Sequence, residues 1–217
     1  MKINFVKLVS FVVIASIIFF GAITIKKLNS EYNIRKIAGA FQKYKFSTLS
    51  FKNVYSQLPG DIEKAVFYMG QETENGNGNG KIEDENKESI LAWQHLQLSD
   101  TVEFEYQLSG QWIDDSSQNI YPEVNIPGDK KTRKGYIFKY FEEHEKNSIG
   151  KVKISKDYEI LPSLSPNMAY KLDLMIDDGY PTSGNFISKA SESGNCFFAG
   201  EYLSDDVNED CLSYFLF

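Results

Sequence analysis

Eighteen consecutive residues, Leu8 to Ile25 (LVSFVVIASIIFFGAITI), carry no charge, and only Ser10, Ser16 and Thr24 among them are polar. A helix of that length just suffices to cross the hydrocarbon core of a bilayer. Lys2 and Lys7 stand before it, and Lys26 and Lys27 after it. The basic residues are split between the two flanks, so they are a weak guide to topology. We read residues 1–27 as a single-pass anchor in the inner membrane. Residues 28–217 then form a domain in the periplasm or at the cell surface. A cleaved secretory signal is the alternative. Against it stand an apolar run longer than such signals use and the lack of an Ala-x-Ala cleavage site.

The helical pattern continues past the charged flank. Ile34, Ile37, Phe41, Tyr44, Thr48, Phe51 and Tyr55 recur at spacings of three and four, one apolar face of a helix. The first breaker is Pro59. One helix of about 50 residues, near 75 Å if unbroken, is expected. Two helices hinged near Lys26 to Ser30 are the other reading.

Beyond it, Leu58-Pro59-Gly60-Asp61 offers Asp61 as an N-cap for a short helix from Ile62 to Met69, with Gly70 as its stop. Asn75 to Gly80 alternates Asn and Gly. A helix is expected over Glu88 to Leu98, largely buried around Trp93. Thr101 to Leu108, Gly135 to Phe141 and Lys151 to Lys156 read as strands, and Asp114 to Lys134 as a loop-rich insertion. Ser165-Pro166 starts a helix to about Ile176, burying Met168, Ala169, Leu172 and Met175. Asp177-Asp178-Gly179 ends it. Short strands are expected between Phe186 and Phe217. Helices in front and an antiparallel sheet behind make the fold class α+β.

The chain is acidic, with a net charge of -7. No basic stripe lies outside the flanks of the first helix, so the clustered lysines and arginines that nucleic-acid binding requires are missing. The two cysteines, Cys196 and Cys211, enclose fourteen residues. Outside the cytoplasm such a pair forms a disulfide, worth about 3 kcal/mol in the chain-entropy model. Two buried thiols are the alternative.

Four landmarks, in order, resemble the type IV pilin-like family, which includes the pseudopilins of type II secretion. They are the apolar helix running into an amphipathic one; Tyr55-Ser-Gln-Leu-Pro-Gly-Asp61; Gly76-Asn-Gly-Asn-Gly80 with Lys81-Ile82, followed by Ala92-Trp-Gln-His-Leu96; and Leu164-Ser-Pro-Asn-Met-Ala169 with Ile176-Asp-Asp-Gly-Tyr-Pro181 and Ser183-Gly184. The resemblance implies a long N-terminal helix packed on a small antiparallel sheet. It implies a non-enzymatic subunit that assembles through that helix, with Phe11, Ile14, Ile18 and Ile25 packing against other pilin-like subunits. Inner-membrane assembly proteins and membrane lipid are the further partners it implies. One departure stands out. Members usually carry a Gly before a Phe-Thr-Leu-Ile-Glu stretch, where the prepilin is processed. Here the region reads Asn4-Phe5-Val6-Lys7-Leu8-Val9, with Val9 in the place of the Glu. A membrane-anchored binding or adhesion module that forms no filaments is therefore the second reading.

Two stretches offer ligand oxygens. Asn75, Asn77, Asn79, Lys81 (through its carbonyl) and Glu83 match positions 1, 3, 5, 7 and 9 of an EF-hand-type Ca²⁺ loop. Position 12 is Asn86, with Glu85 or Glu88 as substitutes, and neutral ligands lower affinity for Ca²⁺. The competing reading is a plain Asn-Gly turn. Asp177 and Asp178 offer an acid–base or Ca²⁺ pair, against a simple helix stop whose Gly takes positive φ. His95, beside Trp93, reads as a packed residue. No Ser/His/Asp or Cys/His arrangement and no phosphate-binding loop is visible, so no enzyme is expected.

Overall fold

A computed structural model describes residues 5–84, 87–113, 118–190, 194–206 and 208–217, with side chains from residue 14 onward. The fold is α+β. The first helix, α1 (Phe5–Tyr55), is helical throughout, so the hinge near Lys26 to Ser30 is not formed. Its hydroxyls do not disturb it, because Thr24 and Thr48 donate to the carbonyls of Phe20 and Tyr44 one turn back. Lys52 sits in the last turn, where its charge suits the helix dipole. Ser56 leaves the helix at positive φ, its N–H still bonded to the Lys52 carbonyl, and Pro59 prevents resumption.

The chain divides inside α1 into two compact units, Met1–Ile37 and Ala38–Phe217. In the first, Ile14, Ile17, Ile18, Phe19, Phe20, Ile23, Ile25 and Leu28 are all exposed. Of the eighteen uncharged residues, Leu8–Val13, and with them Phe11, lie outside the described side chains. The described remainder from Ile14 to Ile25 is twelve residues, short of a bilayer core. Among the described residues no helix is long and apolar enough to cross a membrane.

The second unit is built on the face that the periodicity marks. Phe41, Tyr44, Thr48 and Phe51 are buried. Phe41 meets Tyr136, Phe186 and Phe215 edge-on at 5.6–6.1 Å, and Tyr44 meets Trp93 at 4.9 Å. Each such large side chain contributes roughly 1.5–3 kcal/mol by leaving water. Helix α2 (Ala65–Met69) and helix α3 (Glu88–Leu98) follow, with α3 buried along most of its length.

The sheet contains β1 (Gly128–Asp129), β2 (Lys134–Phe141), β3 (Lys146–Ile154), β4 (Ile160–Leu161), β5 (Phe186–Ala190) and β8 (Cys211–Leu216). Its order is β1-β2-β3-β8-β5, with β4 pairing β3, and every pair is antiparallel. The long β2–β3 hairpin pairs Lys134 with Lys153 at one end and Phe141 with Lys146 at the other. Helix α4 (Pro166–Ile176) precedes β5. Its Ser165 N-cap accepts from the Met168 N–H, as the Ser-Pro pair predicts. Strands β6 (Phe197–Phe198) and β7 (Glu201–Tyr202) form a separate hairpin. A disulfide joins Cys196 at its entry to Cys211 at the start of β8, both sulfurs buried.

Three expectations fail. Thr101 to Leu108 forms no strand. It is bonded through side chains instead: Gln97 on α3 takes the Leu108 N–H on its Oε1 and donates Nε2 to the Tyr106 carbonyl, so the segment has no sheet partner. Helix α2 begins at Ala65 rather than Ile62, because Asp61 points its carboxylate elsewhere. Met175 is exposed and Met168 half-buried; Leu172 and Asp173 turn inward in α4.

Candidate functional site

The second and third landmarks meet in one hydrogen-bonded cluster. Leu58 to Ile62 are buried without exception. The glycine-rich loop lies against them: the Gly76 N–H donates to the Ile62 carbonyl (2.9 Å) and the Gly78 N–H to the Asp61 carbonyl (2.8 Å). The Gly80 N–H donates to Asp61 Oδ2 (2.9 Å). Contact is close enough that a Cβ on Gly76 would collide with the Gly60 carbonyl and the Asp61 backbone. Gly60 itself stands at φ +84°, and a Cβ there would strike the Glu88 carbonyl.

Glu88, fully buried in the first turn of α3, is the second anchor. Its Oε1 accepts the Asn77 N–H (2.9 Å) and its Oε2 the Glu83 N–H (3.3 Å). His95, one face of α3 further on, is the third. The Gly60 N–H donates to its Nδ1 (2.9 Å), so the proton sits on Nε2, which bonds Thr73 Oγ1 (3.0 Å) and the Glu74 carbonyl (3.1 Å). Asn147 on β3 is the fourth. Its Oδ1 accepts the Ile82 N–H (2.7 Å), and its Nδ2 donates to the Gly80 carbonyl (2.9 Å).

Burial sets the electrostatics. It raises the Glu88 carboxyl to about 7, against the two backbone N–H bonds that favour the anion. Burial also raises Asp61, whose Oδ1 is enclosed with no hydrogen-bond partner among the described residues. Burial lowers His95 to about 4, so the imidazole is neutral at physiological pH, and its ring lies parallel to that of Phe51. The residues read from the sequence as Ca²⁺ ligands have other partners here. Asn75 Oδ1 accepts from the Val66 N–H, Asn77 Oδ1 from the Asn79 N–H, and Asn79 Oδ1 from the Lys81 N–H. Asn79 Nδ2 donates to Glu83 Oε2. The Lys81 ammonium pairs with Glu142 at 3.1 Å and lies 4.3 Å from the Tyr140 ring centre. Asn86 and Glu85 lie outside the described residues.

The fourth landmark forms a second, separate cluster at the end of α4. Asp173, Asp177 and Asp178 bring one carboxylate oxygen each within 4.8 Å of one another. Asp173 accepts from the Gly179 N–H and the Tyr202 hydroxyl. Asp177 accepts from the N–H groups of Asn185 and Phe186. Asp178 accepts from the Tyr180 N–H and the Ser183 hydroxyl. Burial raises Asp173 to about 6. Asp178, open to solvent, is lowered, first by the Ser183 hydroxyl and then by the Tyr180 N–H. The Asp-Asp-Gly run thus ends a helix and pins the turn into β5.

Sequence reading singled out the glycine loop and the aspartate pair but not the residues that hold the loop. Asp61 was assigned to a helix cap and Glu88 to a spare ligand position. The available signal was a glutamate at the head of a helix expected to be largely buried, where a carboxyl needs donors. Asn147, in the middle of a strand pattern, gave no such signal. Compared with family models, with curated proteins and with solved structures, the chain finds no match.

Proposed function

We propose that the chain is a membrane-anchored, type IV pilin-like or minor pseudopilin subunit. It acts without catalysis, by packing its long helix against those of neighbouring subunits and inner-membrane assembly proteins. One observation carries the reading. The helix is unbroken over Phe5–Tyr55, and its described first unit exposes large apolar side chains, Ile14, Ile18 and Ile25 among them. Exposed apolar surface of that extent calls for a cover. Lipid supplies one before assembly, and other helices of the same kind supply one after it.

The clusters support the same reading. The landmark residues are engaged in holding loops to helices and strands, a role in architecture. Placement in the inner membrane with the domain outside fits the disulfide between Cys196 and Cys211. Lys7 and Val9, where processing and the usual Glu are expected, favour the second reading of a permanently anchored binding module.

Single cysteines at Ile14, Ile18 and Ile25, in cells carrying the native assembly partners, test the proposal. Crosslinked species containing two pilin-like chains are expected. Their absence at all three positions removes the filament reading. Sequencing the mature N-terminus separates a processed subunit from a permanent anchor.

A further inference from the structure

A cleft of about 340 Å³ opens beside the end of α4, between that helix, the turn at Gly179 and strand β7. It is lined by Tyr170, Tyr180, Tyr202 and Leu174, with Asp178 and Glu201 beside them. The Tyr170 and Tyr202 rings have centres 6.0 Å apart and are inclined at 52°. Tyr202 is fixed from behind, since its hydroxyl donates to Asp173 Oδ2 and meets Ser188 Oγ. Tyr180 and Leu174 are both more than half exposed.

The chemistry of this lining selects among ligands. No lysine or arginine is among the described residues that line it, and Asp178 is held ionised by the Ser183 hydroxyl and the Tyr180 N–H. An anion is repelled. A hard cation such as Ca²⁺ requires six to eight oxygens and gains nothing from tyrosine rings or a leucine. An organic cation uses every part: the ring faces attract its charge, the leucine covers its carbons, and the carboxylates neutralise it. We propose that this cleft binds an alkylammonium group, as a lysine side chain or a small quaternary amine presents it. Tyr170, Tyr180 and Tyr202 are its walls, and Asp178 and Glu201 its counter-charges. The site is independent of helix packing and of the filament reading.

Proton NMR of tetramethylammonium and of N-acetyl-lysine methylamide, titrated with the full chain in neutral detergent micelles, tests the site. Saturable upfield shifts of the ligand protons are expected, from ring currents of the tyrosines. Tyr180→Leu should weaken binding about three- to fivefold, and Glu201→Gln about twofold. Both side chains are exposed, and unchanged thermal unfolding of each variant establishes that the fold is intact. Tighter binding of the lysine amide identifies a protein side chain as the source of the group, and tighter binding of tetramethylammonium a small molecule. Absence of a saturable shift for both probes overturns the proposal. So does binding that Tyr180→Leu leaves unchanged, or Ca²⁺ binding that survives Tyr180→Leu while neither ammonium binds.

Discussion

The two carboxylate clusters use the same interaction with opposite consequences. At the glycine loop, Asp61 and Glu88 accept backbone N–H groups inside the core. At the end of α4, the half-buried Asp177 and the exposed Asp178 also accept backbone N–H groups. In the first cluster desolvation outweighs the hydrogen bonds, and the carboxyls are raised. In the second, burial likewise raises Asp173, but solvent removes that cost at Asp178, and the bonds hold Asp178 low. A carboxylate bonded to a loop can therefore be a buried fastener or a charged surface, and burial decides which. The buried cluster ties α2, α3 and β3 to the loop. The open one leaves its charge available beside the tyrosine cleft.

The contrast breaks most readily at Gly76. A Cβ there meets backbone on the opposite side, which has no rotamer to move. Gly76→Ala should lower stability by about 3 kcal/mol or more, read as a drop in the denaturation midpoint with unchanged slope. A change below about 1 kcal/mol would show that the loop yields and that the cluster is not rigid.

Next in size is the pH dependence of Glu88. Its folded value of about 7 lies above the ordinary 4.5. Between these values the folded chain holds a proton that the unfolded chain has released. Stability from this group therefore falls as pH rises from 4.5 through about 7, and stays low above. His95, lowered from 6.5 to about 4, works in the opposite sense over an overlapping range, and Asp173, raised to about 6, in the same sense as Glu88, so the whole protein shows only their sum. Glu88→Gln isolates one side of it. Relative to the parent, the variant should be more stable at pH 8 than at pH 5 by on the order of 3 kcal/mol. A pH-independent difference would mean that Glu88 is ionised throughout.

How much of this was legible in the sequence follows from the range of each interaction. The helix Phe5–Tyr55, the Ser165 cap of α4 and the buried face from Phe41 to Phe51 are local patterns, and periodicity reveals them. The pairing of Cys196 with Cys211 was expected from an even count of two. Thr101 to Leu108 alternates like a strand, but alternation states only which residues could share a face. The segment spends its backbone groups on Leu96, Gln97 and side chains of α1 instead. The grip of Asp61 on Gly80, nineteen residues away, and of Asn147 on Ile82, sixty-five away, depends on tertiary approach that no spacing encodes. Asparagine at alternate positions suggested oxygens turned toward one ion. The same alternation equally suits Asx turns, and Asn77 and Asn79 each cap the backbone two residues ahead, while Asn75 caps Val66 instead.

That last ambiguity sets a smaller prediction. Asn77→Ala removes the acceptor of the Asn79 N–H and should cost about 1 kcal/mol or less. If the turn reading is right, the loss is the same with and without millimolar Ca²⁺ in calorimetric unfolding. A loss that is larger with Ca²⁺ would favour the ion-binding reading of Asn75, Asn77, Asn79, Lys81 and Glu83.

The smallest effect belongs to the open cluster, and its sign is the sharper test. Asp178 is lowered below its ordinary 3.8. Its contribution is present above that value and is lost as pH falls through the lowered one, the reverse of Glu88. Because the group is exposed, solvent screens it, and Asp178→Asn should change stability at pH 7 by no more than about 0.5 kcal/mol. The informative comparison is with Glu88→Gln across the same pH series. Each substitution removes one carboxylate charge from a backbone-bonded site, yet only the buried one should alter the slope between pH 5 and pH 8. Equal slopes for the two variants would show that local hydrogen bonding, rather than burial, separates the clusters.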